Sequence, residues 1–159
     1  MQLVVENAAK MEELGEKLAG LLKSQDIVYL TGDLGVGKTT LVRGIARGLG
    51  YEGKVTSPTF TLMNIYEGKF PIFHFDFYRL DEESELKDLG LEDYLGKEGI
   101  ALVEWAKGSS LFLPEEALFI NITLVDDDYE KGRLVSFKAC GKKYEEKLKE
   151  LKNLAGFSR

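Results

Sequence analysis

The stretch TGDLGVGKTTL, Thr31 to Leu41, constrains this chain more than any other. It follows Ile27 to Leu30, four apolar residues in a row, which is how a strand buried on both faces of a parallel sheet reads. Beyond it, Leu41, Val42, Ile45, Ala46 and Leu49 recur at helical spacing from Lys38 until Gly50 stops the pattern. Gly32, Gly37, Lys38 and Thr39 satisfy G-x-x-x-x-G-K-[ST] in this strand-then-helix context. Along Gly32, Asp33, Leu34, Gly35, Val36 and Gly37, successive main-chain N–H groups can turn inward as a cradle for phosphate oxygens. Lys38 would add a movable charge for the β- and γ-phosphates, and Thr39 would offer a hydroxyl to Mg²⁺. Thr40 extends a helix start whose positive end favours an anion. A turn that only joined a strand to a helix would need glycine, but neither lysine nor threonine at these offsets.

The rest of the chain supports a core large enough to hold such a loop. With 159 residues and 44% hydrophobic content, one domain spanning residues 1–159 is the economical reading. Cys140 has no partner for a disulfide, no leader pattern opens the sequence, and no apolar run approaches the ~20 residues that span a bilayer. A cytoplasmic address is expected. The net charge of −6 has the wrong sign for gripping a phosphate backbone unaided, so any contact with RNA is expected through a partner.

Asn7 is a helix cap in front of Met11, Leu14, Leu18, Leu21 and Leu22, whose spacing predicts a helix to about Lys23. TLMNIYE and FPIFHFDFY flank Gly68 and Lys69 as a hairpin. Short helical signals fall between Leu86 and Leu95 around Gly90, and IALVEW, Ile100 to Trp105, is another apolar strand. ALFINITLV and RLVSFKAC make a late hairpin, after which Tyr144, Leu148, Leu151 and Ala155 share one face of a charged helix. The expected fold is α/β: a P-loop NTPase-like three-layer arrangement with a mixed, largely parallel central sheet and a C-terminal hairpin.

Phosphoryl chemistry at such a loop needs carboxylates at the ends of neighbouring strands. Glu104 closes the otherwise apolar IALVEW, where it would steady Mg²⁺ or orient the nucleophile; the plainer alternative is a strand-end glutamate reaching solvent. In FHFDFY, alternation puts His74 and Asp76 on one face, about 7 Å apart along the strand, with Phe73, Phe75 and Phe77 on the other. Asp76 is therefore a second candidate, while His74 reads as a hydrogen-bonded packing residue. Arg79 can neutralise transition-state charge or pair with Asp81 or Glu82. Trp105 reads as a packing or interface aromatic next to Glu104.

The segments GDLGVGKTTLVRGIARGLG, VTSPTFTL, HFDFYRL and LVEW, in that order and at these separations, resemble the TsaE family over nearly the whole chain. That resemblance implies a small Mg²⁺-dependent P-loop ATPase of bacterial tRNA threonylcarbamoyladenosine biosynthesis, which joins TsaB and TsaD and whose ATP cycle keeps that complex turning over. It implies that TsaD places the threonylcarbamoyl group on N6 of adenosine 37, with tRNA met through the partners. On the same basis Lys38, Asp76 and Glu104 are catalytic and Thr39 and Glu104 hold the metal. Thr56, Ser57, Pro58, Thr59 and Phe60 act as a nucleotide-sensing switch, where Pro58 by itself would explain only a plain turn, and Trp105, next to Glu104, is sensitive to events at the metal. Asn7 and Arg133 lie near the base. Phe60 stands where the family pattern has tyrosine, and Phe77 where many members carry leucine; both keep size.

Two other classes share the loop. A small-molecule kinase usually brings an arginine-rich lid, whereas only five arginines occur here and Arg43 and Arg47 ride the helix after the loop. A nucleotide-sensing module without hydrolysis would need neither Glu104 nor Asp76. No N-K-x-D guanine-reading motif occurs, which favours ATP over GTP.

Overall fold

The computed structural model describes residues 1–33, 35–58, 63–77, 94, 98–105 and 116–154. Among the described residues, seven strands form one mixed sheet: β1 (Gln2–Val5), β2 (Ile27–Thr31), β3 (Met63–Glu67), β4 (Pro71–Asp76), β5 (Ile100–Trp105), β6 (Ala117–Leu124) and β7 (Arg133–Cys140). Their spatial order is β1-β7-β6-β2-β5-β4-β3. Four strands, β6, β2, β5 and β4, run parallel to one another, β3 pairs antiparallel with β4 on one side, and β7 pairs antiparallel with both β6 and β1 on the other. Both expected hairpins form, β3 with β4 and β6 with β7. β1 has no counterpart in the sequence reading. Its four residues show no usable alternation, and it exists because β7 offers it an antiparallel edge, Leu3 opposite Val135.

Three helices are described: α1 (Ala8–Ala19), α2 (Lys38–Gly48) and α3 (Lys142–Asn153). The Asn7 side chain accepts from the Lys10 main-chain N–H at 2.9 Å and caps α1 as its sequence predicts. α1 ends at Ala19, short of the expected Lys23, because Gly20 takes the cap position and Leu21 and Leu22 bond back to Leu18 in a tightening turn. Leu22 is nevertheless buried, which is why the helical periodicity ran past the helix.

The sheet has two apolar faces. On one, Val28, Leu30, Leu102 and Ile120 meet Met11, Leu14 and Leu18 of α1, Leu41, Val42 and Ile45 of α2, and Tyr144 and Leu151 of α3. On the other, Ile27, Tyr29, Phe75, Phe77 and Val103 cluster with Phe73 and Tyr94. The expected third layer, over this second face, falls outside the described residues, as do the helical signals of Leu86 to Leu95 apart from Tyr94. Ala155 lies outside them too.

α1 and α2 approach at backbone distance. A Cβ on Gly44 of α2 would overlap the Glu12 carbonyl of α1, and one on Gly15 of α1 would lie 2.6 Å from the Leu41 carbonyl oxygen. Arg43 and Glu12 pair across the same seam at 3.1 Å. At the base of the sheet, buried Asp26 accepts from the Lys23 N–H and is paired with Lys143 and Lys147 of α3 at 3.2 and 3.1 Å. None of the described helices is long and apolar enough to cross a membrane.

Candidate active site

The loop after β2 opens at the carboxyl ends of the parallel strands, where open α/β sheets place their ligands. Its last glycine, Gly37, sits at φ +116, a left-handed conformation that favours glycine, and serves as the cap position of α2. α1 has a side chain on its first N–H groups; α2 has no side-chain cap bond, so its leading N–H groups face the cleft at the positive end of the helix. Lys38 is buried with its Nζ donating to the Gly32 carbonyl at 2.5 Å, which folds the ammonium over the loop. Val36 donates to Asp33 and is buried under the turn, whereas Asp33 and Gly35 are exposed.

A cleft of about 230 Å³ is lined by Gly35, Gly37, Lys38, Thr39, Thr40, Ser57, Asp76 and Glu104. Three separate segments thus meet the loop. Asp76 ends β4 and Glu104 lies next to last in β5, and the parallel register sets them side by side. Glu104 is only 3% exposed and Asp76 7%, so the reading of Glu104 as a strand-end acid reaching solvent is overturned. Two buried carboxyl groups in adjacent positions beside a threonine hydroxyl are an oxygen donor set suited to a hard cation, and the Lys38 ammonium alongside suits an anion. No group of three or more His, Cys, Asp or Glu that could hold a metal occurs among the described residues. That composition fits Mg²⁺, which keeps several waters and takes one or two carboxylates together with phosphate oxygens. Thr39 and Glu104 are the residues that would hold it.

His74 is fully buried on the same sheet face and bonded at both nitrogens, in keeping with the hydrogen-bonded packing residue read from its sequence. Nε2 lies 2.5 Å from Glu104 Oε2, and Nδ1 lies 2.9 Å from the Tyr66 hydroxyl. The same hydroxyl, from β3, lies 3.0 Å from the Thr56 carbonyl, which Asn64 Nδ2 reaches at 3.1 Å. Burial pushes the Tyr66 phenol above its ordinary value, so it keeps its proton at neutral pH. Ser57 Oγ lies 3.5 Å from Asp76 Oδ2. The Thr56 to Pro58 segment is thereby joined to both acids. Sequence reasoning did not reach Tyr66. The available signal was the β3–β4 hairpin itself, whose register sets Asn64 opposite His74 and puts Tyr66 two residues on along the same face.

A second cleft, about 340 Å³, adjoins the first across Gly35, Gly37 and Thr40 and reaches Asn7 and Arg133. Glu6, Tyr129 and Gly132 line it as well, residues the sequence reading did not single out. Arg133 is fixed there: its Nε donates to the Val36 carbonyl at 2.8 Å, its guanidinium donates to the Tyr129 and Gly132 carbonyls, and it sits over the Tyr129 ring. Leu34, Thr59, Phe60 and Arg79 lie outside the described residues. Trp105 closes β5 opposite Thr31, and its side chain lies outside them too.

A family model described as threonylcarbamoyl adenosine biosynthesis protein TsaE matches residues 5–134. The tRNA threonylcarbamoyladenosine biosynthesis protein TsaE of Bacillus subtilis is 42% identical over 146 residues, 91% of this chain and 89% of that protein. The protein of the same name from Haemophilus influenzae is 44% identical over 124 residues, 74% of this chain and 78% of its own length. The crystal structure of Bacillus subtilis YdiB superposes with a TM-score of 0.78 at 34% identity, covering 95% of this chain and 93% of that one.

Proposed function

This chain belongs to the TsaE family, and from that premise we propose that it is a Mg²⁺-dependent P-loop ATPase subunit of tRNA threonylcarbamoyladenosine biosynthesis. It acts in the cytoplasm, hydrolysing ATP to ADP and phosphate to keep a TsaB–TsaD complex turning over. The observation that carries the reading is the meeting of Lys38, Thr39, Asp76 and Glu104 on one cleft, drawn from the loop after β2 and from the ends of β4 and β5. Main-chain N–H groups of the loop and the Lys38 ammonium would bind the phosphates, and the adjoining cleft at Asn7 and Arg133 is the place for the base. Thr39 and Glu104 would hold Mg²⁺, which when bound neutralises charge on the phosphates. Asp76, buried beside Glu104, is placed to orient the attacking water.

The same cleft supports a dependence on partners. No arginine occurs among the described residues lining it, and Arg43 and Arg133 are engaged elsewhere. A supplied arginine is worth ~10³ to 10⁵ in rate. The isolated protein is therefore expected to bind ATP and turn it over slowly, with TsaB and TsaD completing or reordering the site through the segment at Thr56. Hydrolysis then alters the docking surface, and the linkage is reciprocal, so ATP and ADP should give different affinities for the pair. The negative net charge suits a subunit that meets tRNA only through those partners. Phosphate release with and without TsaB–TsaD, and partner affinity in each nucleotide state, test this. Unchanged turnover together with equal affinities would overturn it.

A further inference from the structure

We propose that Tyr66 is a positioning residue through which the Thr56 to Pro58 segment and the Glu104 side chain sense each other. The argument is a count of protons. Glu104 Oε2 lies 2.5 Å from His74 Nε2, and a carboxylate there accepts the Nε2–H. In the neutral ring, Nδ1 is then an acceptor, and the Tyr66 hydroxyl is 2.9 Å from it. The Thr56 carbonyl, which can only accept, is 3.0 Å from that hydroxyl on its other side. Tyr66 has a single hydroxyl proton for these two acceptors.

When Thr56 holds that proton, Nδ1 is left with less to fix the ring. When Thr56 moves away, the proton goes to Nδ1 and locks the tautomer that serves Glu104. The Thr56 carbonyl also accepts from Asn64 Nδ2 at 3.1 Å, so a second donor is at hand when Tyr66 releases it. The path is short and enclosed: His74 is fully buried, Tyr66 is buried, and the Tyr66 ring is held against Tyr51 with centroids 4.9 Å apart. What moves is a proton's preference between two acceptors, not the aromatic ring. The proposal rests on the ATPase reading only for its consequence, that a partner acting on Thr56 would adjust the metal-directed acid.

The chain contains one histidine, so imidazole nitrogen resonances belong to His74 alone. In nucleotide-free protein, those resonances and the amide exchange of Ser57 are measured for wild type, Glu104→Gln, Tyr66→Phe and the double variant. Glu104→Gln is expected to shift the His74 nitrogens in both backgrounds. It is expected to change Ser57 exchange by about 2- to 30-fold with Tyr66 present, and to leave it unchanged with Phe at position 66. A Ser57 amide that ignores Glu104→Gln, or responds equally in both backgrounds, overturns the proposal; a residue that only packs would give one of these two results. If Tyr66→Phe does not keep the wild-type circular dichroism and melting temperature, His74→Gln makes the same cut from the other side, with the same expectations for Ser57. Because no nucleotide is used, failure of the ATPase reading and failure of this coupling appear in different experiments.

Discussion

The two sides of the phosphate cleft are made in opposite ways. One side, the loop from Gly32 to Thr40, presents main-chain N–H groups at the uncapped start of α2, with Lys38 as its cationic side chain. The other presents the buried acids Asp76 and Glu104 of β4 and β5, joined through His74, Tyr66 and Ser57 to a neighbouring strand and segment. A cradle of backbone groups belongs to nearly any sequence that can take the turn, so it is suited to holding an anion common to many substrates. A cluster of buried side chains depends on every member, since removing one leaves its partner unsatisfied. Binding and chemistry are therefore expected to fail separately.

The largest effect that can break this comparison is Lys38→Ala. It takes the one ammonium from the backbone side, and ATP turnover is expected to fall to background while the melting temperature stays near wild type. Wild-type turnover in that variant would mean the loop does not hold the phosphates. On the other side, Asp76→Asn is expected to lower turnover by about 10²- to 10³-fold, the scale for losing a preorganised polar group, with ATP binding largely kept. Glu104→Gln should instead raise the Mg²⁺ concentration needed for half-maximal turnover. Calorimetric ATP binding set beside steady-state rates separates the two, and equal rates for wild type and both variants would reduce these acids to ordinary strand residues.

The smallest effect sharpens the comparison by leaving both sets of groups intact. Gly44→Ala adds one methyl where α2 meets the Glu12 carbonyl, and overpacking of this kind costs about 1–3 kcal/mol. Denaturant unfolding should report that loss. Because α2 carries the loop, ATP affinity is expected to weaken with it, while the Asp76 and Glu104 effects persist unchanged. An ATP affinity equal to wild type would show that the loop does not depend on the seam.

The sequence made one side far more legible than the other, for physical reasons. The loop, β2 and α2 are contiguous, and the residue types demanded by a tight turn, a buried strand and an amphipathic helix are local requirements. Asn7 was readable on the same terms, as a cap. Glu104 and Asp76 were visible as acids closing apolar strands, but that they sit side by side depends on β4 pairing with β5 across residues 77–99, a relation no local pattern carries. Tyr66 and the double engagement of His74 are further still from local pattern, since they require the hairpin register as well as the sheet order. β1 is the extreme case: Gln2 to Val5 become a strand only because β7 is there.

The seam between α1 and α2 has a mechanical consequence. Where two helices touch through glycines, backbone meets backbone, and there is no layer of side chains to rearrange between them; close-packed contacts of that kind shift as a block or not at all. Asn7 at the head of α1 and Lys38 at the head of α2 are therefore parts of a single fixed jaw, and a nucleotide bound as proposed would have its base and phosphates gripped by one rigid piece. A vice needs its travel somewhere. Here it would be left to the opposite jaw, where Ser57 and Thr56 reach the acids through hydrogen bonds and not through backbone contact.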